Sequence, residues 1–242
     1  MIVTSEGIVL NSRKYSESSK ILSLYSADYG KISLIAKGAR MPKSKFGSSL
    51  EPLSCASATF YMKPNQELYL LSKSELARKW LRIYNSSEHL TAGFVIIETI
   101  SLTQLQKHPN PELYSLLSDC IEYLNELHEN PYSIVIWFFC RFSEIMGFEL
   151  NINSVAIRDG LIYPIQVDSG SVEYENSGEN VKYFKMNSIV LAKLVELNQA
   201  EIDLSTKINL NKVEIATIYN FFGTYFSYHF DMKFVLKTGN IF

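Results

Sequence analysis

Residues 30–37 read GKISLIAK, and the alternation inside them decides the front of the chain. Ile32, Leu34 and Ala36 share one face of an extended segment. Lys31, Ser33 and Lys37 share the other, with Ile35 the one apolar exception. Side chains alternate across a strand with period two, so the pattern predicts a strand buried on one side only. The same signal recurs on both flanks, at Gly7–Arg13 and Lys20–Ser26 before it and at Ser54–Met62 and Glu67–Ser74 after it. Pro64-Asn65 marks the turn between the last two. Five short strands without a helical stretch predict a small closed barrel, since an open sheet this short would leave exposed edges.

From about residue 86 the period becomes helical. Asn110-Pro111 and Asn130-Pro131 each read as an N-cap followed by proline in the first turn. Helices are predicted over Ser87–Lys107, after each of those two signals, and over Asn187–Asn198 and Asn211–Phe230. The apolar run around Trp137 implies a helix buried on most sides, ending with Gly147 just past its C-cap. Between Asn151 and Lys185 the pattern lapses. SVAIRDGLIYP reads as a hairpin around Asp159-Gly160, and VDSGSVEYENSGEN as a polar connection. The fold class is therefore α+β: a five-stranded barrel over residues 1–80, then a mostly helical domain over 81–242 with an irregular insertion at about 151–185.

Composition sets bounds. With 47% hydrophobic and 13% aromatic residues, the chain can build a core. Three cysteines, Cys55, Cys120 and Cys140, lack close spacing and point to a reducing compartment. The start MIVTSEGIVL has neither the basic nor the apolar part of a signal peptide. The longest apolar run, Ile134–Cys140, falls far short of the roughly 20 residues of a membrane span. A cytoplasmic protein without a membrane segment is expected. The formal net charge of −2 conceals an asymmetry: residues 1–80 hold 12 Lys and Arg against 6 Asp and Glu, and residues 81–242 hold 11 against 19. A basic front on an acidic back is expected to meet a polyanion with the front alone.

Signatures of catalysis are missing. His89, His108, His128 and His229 stand far apart, and none forms HExxH or another metal-binding spacing. Cys140 lies in the most apolar helix, where a thiol is core rather than nucleophile. Tyr29-Gly30-Lys31 is not a Walker loop, because the required Gly and Ser/Thr positions hold Tyr25 and Ile32. No enzyme, no cofactor and no metal are expected.

The informative stretch is AKGARMPKSKFGSSLEP, residues 36–52. Lys37, Arg40, Lys43 and Lys45 stand within nine residues, and no acid occurs between Tyr29 and Glu51. Gly38, Pro42 and Gly47 break any helix there. Arg13, Lys20 and Lys31 lie on the neighbouring strands, and Tyr15, Tyr25, Tyr29, Phe46, Tyr61 and Tyr69 interleave with the charges. About half of those rings are expected in the core. A barrel with cations for phosphates and rings for bases is how oligonucleotide-binding folds hold single strands. The candidate DNA-binding residues are Arg13, Lys20, Lys31, Lys37, Arg40, Lys43, Lys45 and Phe46.

The run from Gly7 to Pro52, GIVLNSRKYSESSKILSLYSADYGKISLIAKGARMPKSKFGSSLEP, resembles the amino-terminal domain of the RecO family of bacterial recombination mediators. YSESSKI, YGKISLIAKGAR and PKSKFGSSLEP carry the resemblance in order and spacing. It resurfaces at MGFEL, Met146–Leu150, and in YNFFGTYFSYHF, residues 219–230. It covers the whole chain in layout and the first third in sequence detail. The resemblance implies an OB-fold followed by a helical domain. It also implies a non-enzymatic, nucleoid-associated protein that binds single- and double-stranded DNA and anneals complementary strands. Its implied partners are RecR and the single-stranded DNA-binding protein, with RecA loading as the outcome. Many relatives carry a zinc site of two paired cysteines just after the MGFEL segment, and residues 151–185 here hold no cysteine or histidine. For the acidic, apolar-ended tail of the single-stranded DNA-binding protein, Lys107 and Arg141 are the candidate cations.

Two other readings stay open on the sequence. One is a protein-interaction adaptor whose OB-like barrel does not bind DNA, in keeping with the acidic back. The other is an OB-type RNA-binding module, which 2′-hydroxyl discrimination would reveal.

Overall fold

The computed structural model describes residues 1–127, 129–173 and 181–238. His128 and the second half of the polar connection, residues 174–180, lie outside the described residues, as do 239–242.

The alternating front forms β1 (Ile2–Lys14), β2 (Lys20–Ser26), β3 (Gly30–Ala36), β4 (Cys55–Tyr61) and β5 (Leu68–Arg78). They close in the order β1-β2-β3-β5-β4, with β4 returning to β1 and β3 running parallel to β5. This is the predicted five-stranded, OB-like barrel. β1 is longer than the alternation indicates because it serves two neighbours. Residues 2–8 pair with β4 and residues 8–14 with β2, across a register shift between Val9 and Asn11. Val9, Leu22, Leu24, Ile32, Leu34 and Phe60 fill the interior, and burying side chains of this size contributes about 1.5–3 kcal/mol each. A 3-10 turn, Gly47–Leu50, plugs one mouth of the barrel.

The helices are α1 (Ser87–Thr103), α2 (Pro111–Asn125), α3 (Pro131–Ile145), α4 (Ser188–Gln199), the short α5 (Ile202–Ser205) and α6 (Lys212–His229). Asn110 caps α2 by accepting the Leu113 N–H at 3.0 Å. Asn130 holds the N-cap position of α3 without a side-chain cap bond, and its side-chain amide donates to the Thr206 carbonyl at 2.6 Å. α3 is the hub, with every residue from Ile134 to Cys140 buried. Phe139 packs against Tyr219, Phe222 and Phe226 of α6, with ring centroids 5.1–5.5 Å apart. Gly147 follows with a φ of +83°, as expected past a helix C-cap.

Two expectations need correction. α1 stops at Thr103 rather than Lys107. Gln106 instead forms a parallel bridge with Lys31 on the edge of β3, ahead of the point where β5 begins to pair with it. There is also no hairpin around Asp159-Gly160. β6 (Ile162–Gln166) pairs with β7 (Tyr183–Asn187), far along the chain. The Arg158 N–H goes to the Tyr163 hydroxyl and the Gly160 N–H to the Ser188 hydroxyl.

Barrel and helices share buried surface. Ile8, Leu10, Tyr25, Leu53 and Cys55 point out of the barrel into the same cluster as α1, α2 and α3. A polar seam runs beside it. Glu6 accepts from the Tyr114 hydroxyl at 3.1 Å and pairs with Arg78 at 3.3 Å. Arg78 also reaches Ser118 at 2.7 Å. Gly30 marks the closest approach: its φ is +61°, and a Cβ there would run into the His108 carbonyl.

Candidate nucleic-acid interface

The basic loop leaves β3 at Ala36 and returns through the 3-10 turn. Arg40 fixes its course. Its backbone N–H donates to the Ser18 carbonyl at 3.0 Å and its guanidinium to the Ser16 carbonyl at 2.6 Å. Successive turns follow, from the Met41 N–H to Gly38 and from the Ser44 N–H to Met41. The loop is therefore docked on the β1–β2 turn. Lys37, Arg40, Lys43 and Lys45 are all exposed. Among the described residues, none of the four pairs with a carboxylate. Tyr15, 59% exposed, and Met41, 57% exposed, stand on the same two segments and offer apolar surface beside the cations.

The other sequence candidates divide. Phe46 is a correction: only 4% of it is exposed, and its ring lies in the barrel core. Gly47, at a φ of +55°, turns the chain just after it. Leu50 then follows Phe46 into the same mouth, while the Lys45 ammonium covers the ring from 5.3 Å. Phe46 therefore cannot offer a face to a base. Lys20 pairs with Glu51 at 2.7 Å. Lys31 donates to the Ser101 carbonyl at 2.8 Å, and burial lowers its pKa. Arg13 is exposed and lines a recess with Lys31. Of the aromatics, Tyr25 and Tyr69 are core, and burial pushes the Tyr25 hydroxyl up to about 12. Tyr29 packs edge-on against Phe60. Tyr15 and Tyr61 remain available.

With that geometry in place, comparison with known proteins is decisive. Residues 1–80 match the family described as Recombination protein O N terminal, and residues 85–237 match Recombination protein O C terminal. The chain belongs to the RecO family. It is 34% identical over 124 residues to the DNA repair protein RecO of Salinibacter ruber, a match covering 51% of this chain and 48% of that one. It is 28% identical to that of Prosthecochloris aestuarii, covering 68% and 62%. The matched stretches thus span less than two thirds of those two relatives. The likeness to the RecO of Chloroherpeton thalassium, 25% identical, covers 100% of this chain and 98% of the relative. DNA repair is the function class of the family.

In the helical part of this RecO-family chain, the two tail candidates are held apart. Lys107, at a φ of +62°, donates its ammonium to the Gln66 carbonyl at 2.6 Å and its backbone N–H to Lys31. It belongs to the seam between barrel and helices. Arg141 bonds the Asn198 carbonyl at 2.5 Å, at the end of α4, and pairs with Glu144 at 2.9 Å. Neither lines the groove beside α6. That groove, a cavity of about 480 Å³, runs along α3 and α6, with Phe139, Phe222, Phe234 and Leu236 as apolar lining and Lys233 as its one cation among the described residues. Sequence reasoning missed Lys233 because it follows the last helix rather than sitting on one.

Among the described residues, no group of three or more His, Cys, Asp or Glu could hold a metal, and no helix is long and apolar enough to cross a membrane. All three cysteines are free and buried. Burial pushes the Cys140 thiol up to about 12. Residues 148–173 are held by bonds within the segment and by one from α6. The Asn151 N–H donates to Gly170 at 3.1 Å, Gln166 to Glu173 at 2.7 Å, and the Tyr225 hydroxyl to the Phe148 carbonyl at 2.8 Å.

Proposed function

We propose that this RecO-family chain is a non-enzymatic recombination mediator. It binds single- and double-stranded DNA through the basic end of its barrel and anneals complementary strands. With RecR and the single-stranded DNA-binding protein, it helps RecA load on coated DNA in the cytoplasm, at the nucleoid, without cofactor or membrane. The observation that carries the reading is the docked loop: four cations on a fixed platform, with no carboxylate partner among the described residues.

Cations of this kind bind phosphates without reading sequence. Two strands repel through their phosphates, so neutralising both while leaving bases free lowers the barrier to pairing. Tyr15 supports transient stacking of an unpaired base beside the loop. The acidic, apolar-ended partner tail finds its chemistry in the groove with Lys233 rather than at Lys107, which lies outside that groove, or at Arg141, which already pairs with Glu144. A carboxylate on Lys233 with an apolar side chain against Val235, which is 49% exposed at the rim of the groove, is the expected seat.

The test is binding of unrelated single strands and duplexes at several salt concentrations, together with annealing of complementary oligonucleotides. Salt-sensitive binding without sequence preference, accompanied by annealing, supports the mediator. Partner binding without DNA binding supports the adaptor instead.

A further inference from the structure

A second feature on the barrel does not involve the loop. The outward face of β1, β2 and β3 meets the end of α1 at a recess of about 250 Å³. Arg13, Lys31, Asn11, Ser23, Ser33 and Gln106 line it, and no carboxylate among the described residues does. Two cations with hydroxyl and amide groups, and no acid, describe a site for an anion. A metal would need the oxygen anions that are missing.

The donors are largely unassigned. The Ser23 hydroxyl is buried without a hydrogen-bond partner. The Lys31 ammonium has one partner, Ser101, leaving two of its three N–H groups unassigned. Its pKa is held down by burial, a cost that a bound anion would relieve. The recess of about 250 Å³ has room for several waters. That suits a phosphate with its ester oxygens, not a run of nucleotides. Lys31 lies five residues before the point where the loop leaves β3, about 17 Å along the strand. A DNA strand held by the loop can reach it.

We propose that this recess, built jointly by the barrel face and the α1–α2 linker, seats one phosphate group of the bound DNA strand and sets the strand's register. The proposal rests on the DNA-binding reading above. The phosphate is either an internal diester or the monoester at a strand end.

The side-chain amide signals of Asn11 and Gln106 in 15N-labelled full-length protein provide the test. Inorganic phosphate titrated into the protein should shift both signals saturably, and Ser33→Asp, which places a carboxylate in the recess, should abolish the shift. Oligothymidylates are then compared with hydroxyl ends, a 5′-phosphate or a 3′-phosphate. The same shifts with all three assign the internal diester; shifts only with a phosphorylated end assign the monoester. Folded Ser33→Asp should bind single strands at least fivefold more weakly. Phosphate binding without DNA binding keeps the anion site and removes the DNA reading. DNA binding with both amides unmoved, in wild-type protein, overturns the recess and leaves the DNA reading intact.

Discussion

The Lys31 ammonium on β3 donates to the Ser101 carbonyl at the end of α1, at 2.8 Å, and the Lys107 N–H returns a bond to the Lys31 carbonyl at 2.9 Å. A cation here meets both an unsatisfied helix carbonyl and the negative end of the helix dipole. Lys31→Met keeps most of the stem and removes the charge. A loss of about 1–2 kcal/mol in urea-unfolding stability is expected. An unchanged midpoint and slope would mean that this bond does not tie the barrel to the helices.

The start of α6 titrates. Glu214 sits in a capping box with Asn211 and pairs with Lys193 at 2.8 Å. Burial pushes its pKa up, but the Lys193 hydrogen bond and the Asn211 N–H outweigh burial and leave it lowered. A carboxyl held below its unfolded value near 4.3 stabilises the fold above that pH. The contribution fades as pH falls through the folded pKa. Glu214→Gln should therefore cost about 1–2 kcal/mol at pH 7, with the gap to wild type closing in acid. A gap that stays constant from pH 7 to pH 3 would contradict this sign.

The insertion lobe should be indifferent to chelators. Residues 151–185 contain no cysteine or histidine, and the bonds from Asn151 to Gly170 and from Gln166 to Glu173 run within the insertion. Purified protein should hold no stoichiometric zinc, and EDTA should leave its melting temperature unchanged. One zinc per chain, lost together with thermal stability, would show that ligands elsewhere do the work.

For the partner tail, the groove and Arg141 make separable claims. Lys233→Glu should weaken an acidic, apolar-ended peptide about tenfold or more by turning attraction into repulsion, while DNA affinity stays near wild type. Arg141→Ala should lower stability, since it removes the contacts to Asn198 and Glu144, with peptide affinity retained in the folded fraction. The opposite pattern in a peptide-binding titration would return the site to Arg141.

The barrel was legible because period-two alternation writes burial directly into the sequence: Ile32, Leu34 and Ala36 are buried as expected. Asn110 and Asn211 could be read as caps because capping is local. Asn130 has the same local context, but its amide is claimed by Thr206, 76 residues away. α1 was overread for a similar reason, since pairing with Lys31 draws Gln106 out of the helical pattern. The binding surface was legible only in part. Lys20 and Lys31 look like the loop cations in sequence, yet Glu51 and Ser101 engage them from distant positions. Phe46, placed among charges, looked like a stacking ring until Gly47 and Leu50 showed it entering the barrel mouth.

The salt dependence of single-strand binding tests the central claim most directly. Each phosphate neutralised on a single strand contributes about −0.7 to the slope of log affinity against log salt. Replacing Lys37, Arg40, Lys43 and Lys45 together by Ala should flatten the slope by up to roughly 3 units and weaken unrelated sequences equally. Annealing should fall in step. The three lysines are exposed surface residues, where substitutions usually cost within about 0.5 kcal/mol; Arg40→Lys retains the charge and separates loss of the Ser16 contact from loss of phosphate binding. A folded quadruple variant with a flattened slope and slow annealing is the expected result. The wild-type slope and wild-type annealing in that variant would contradict the claim that this loop is the DNA site.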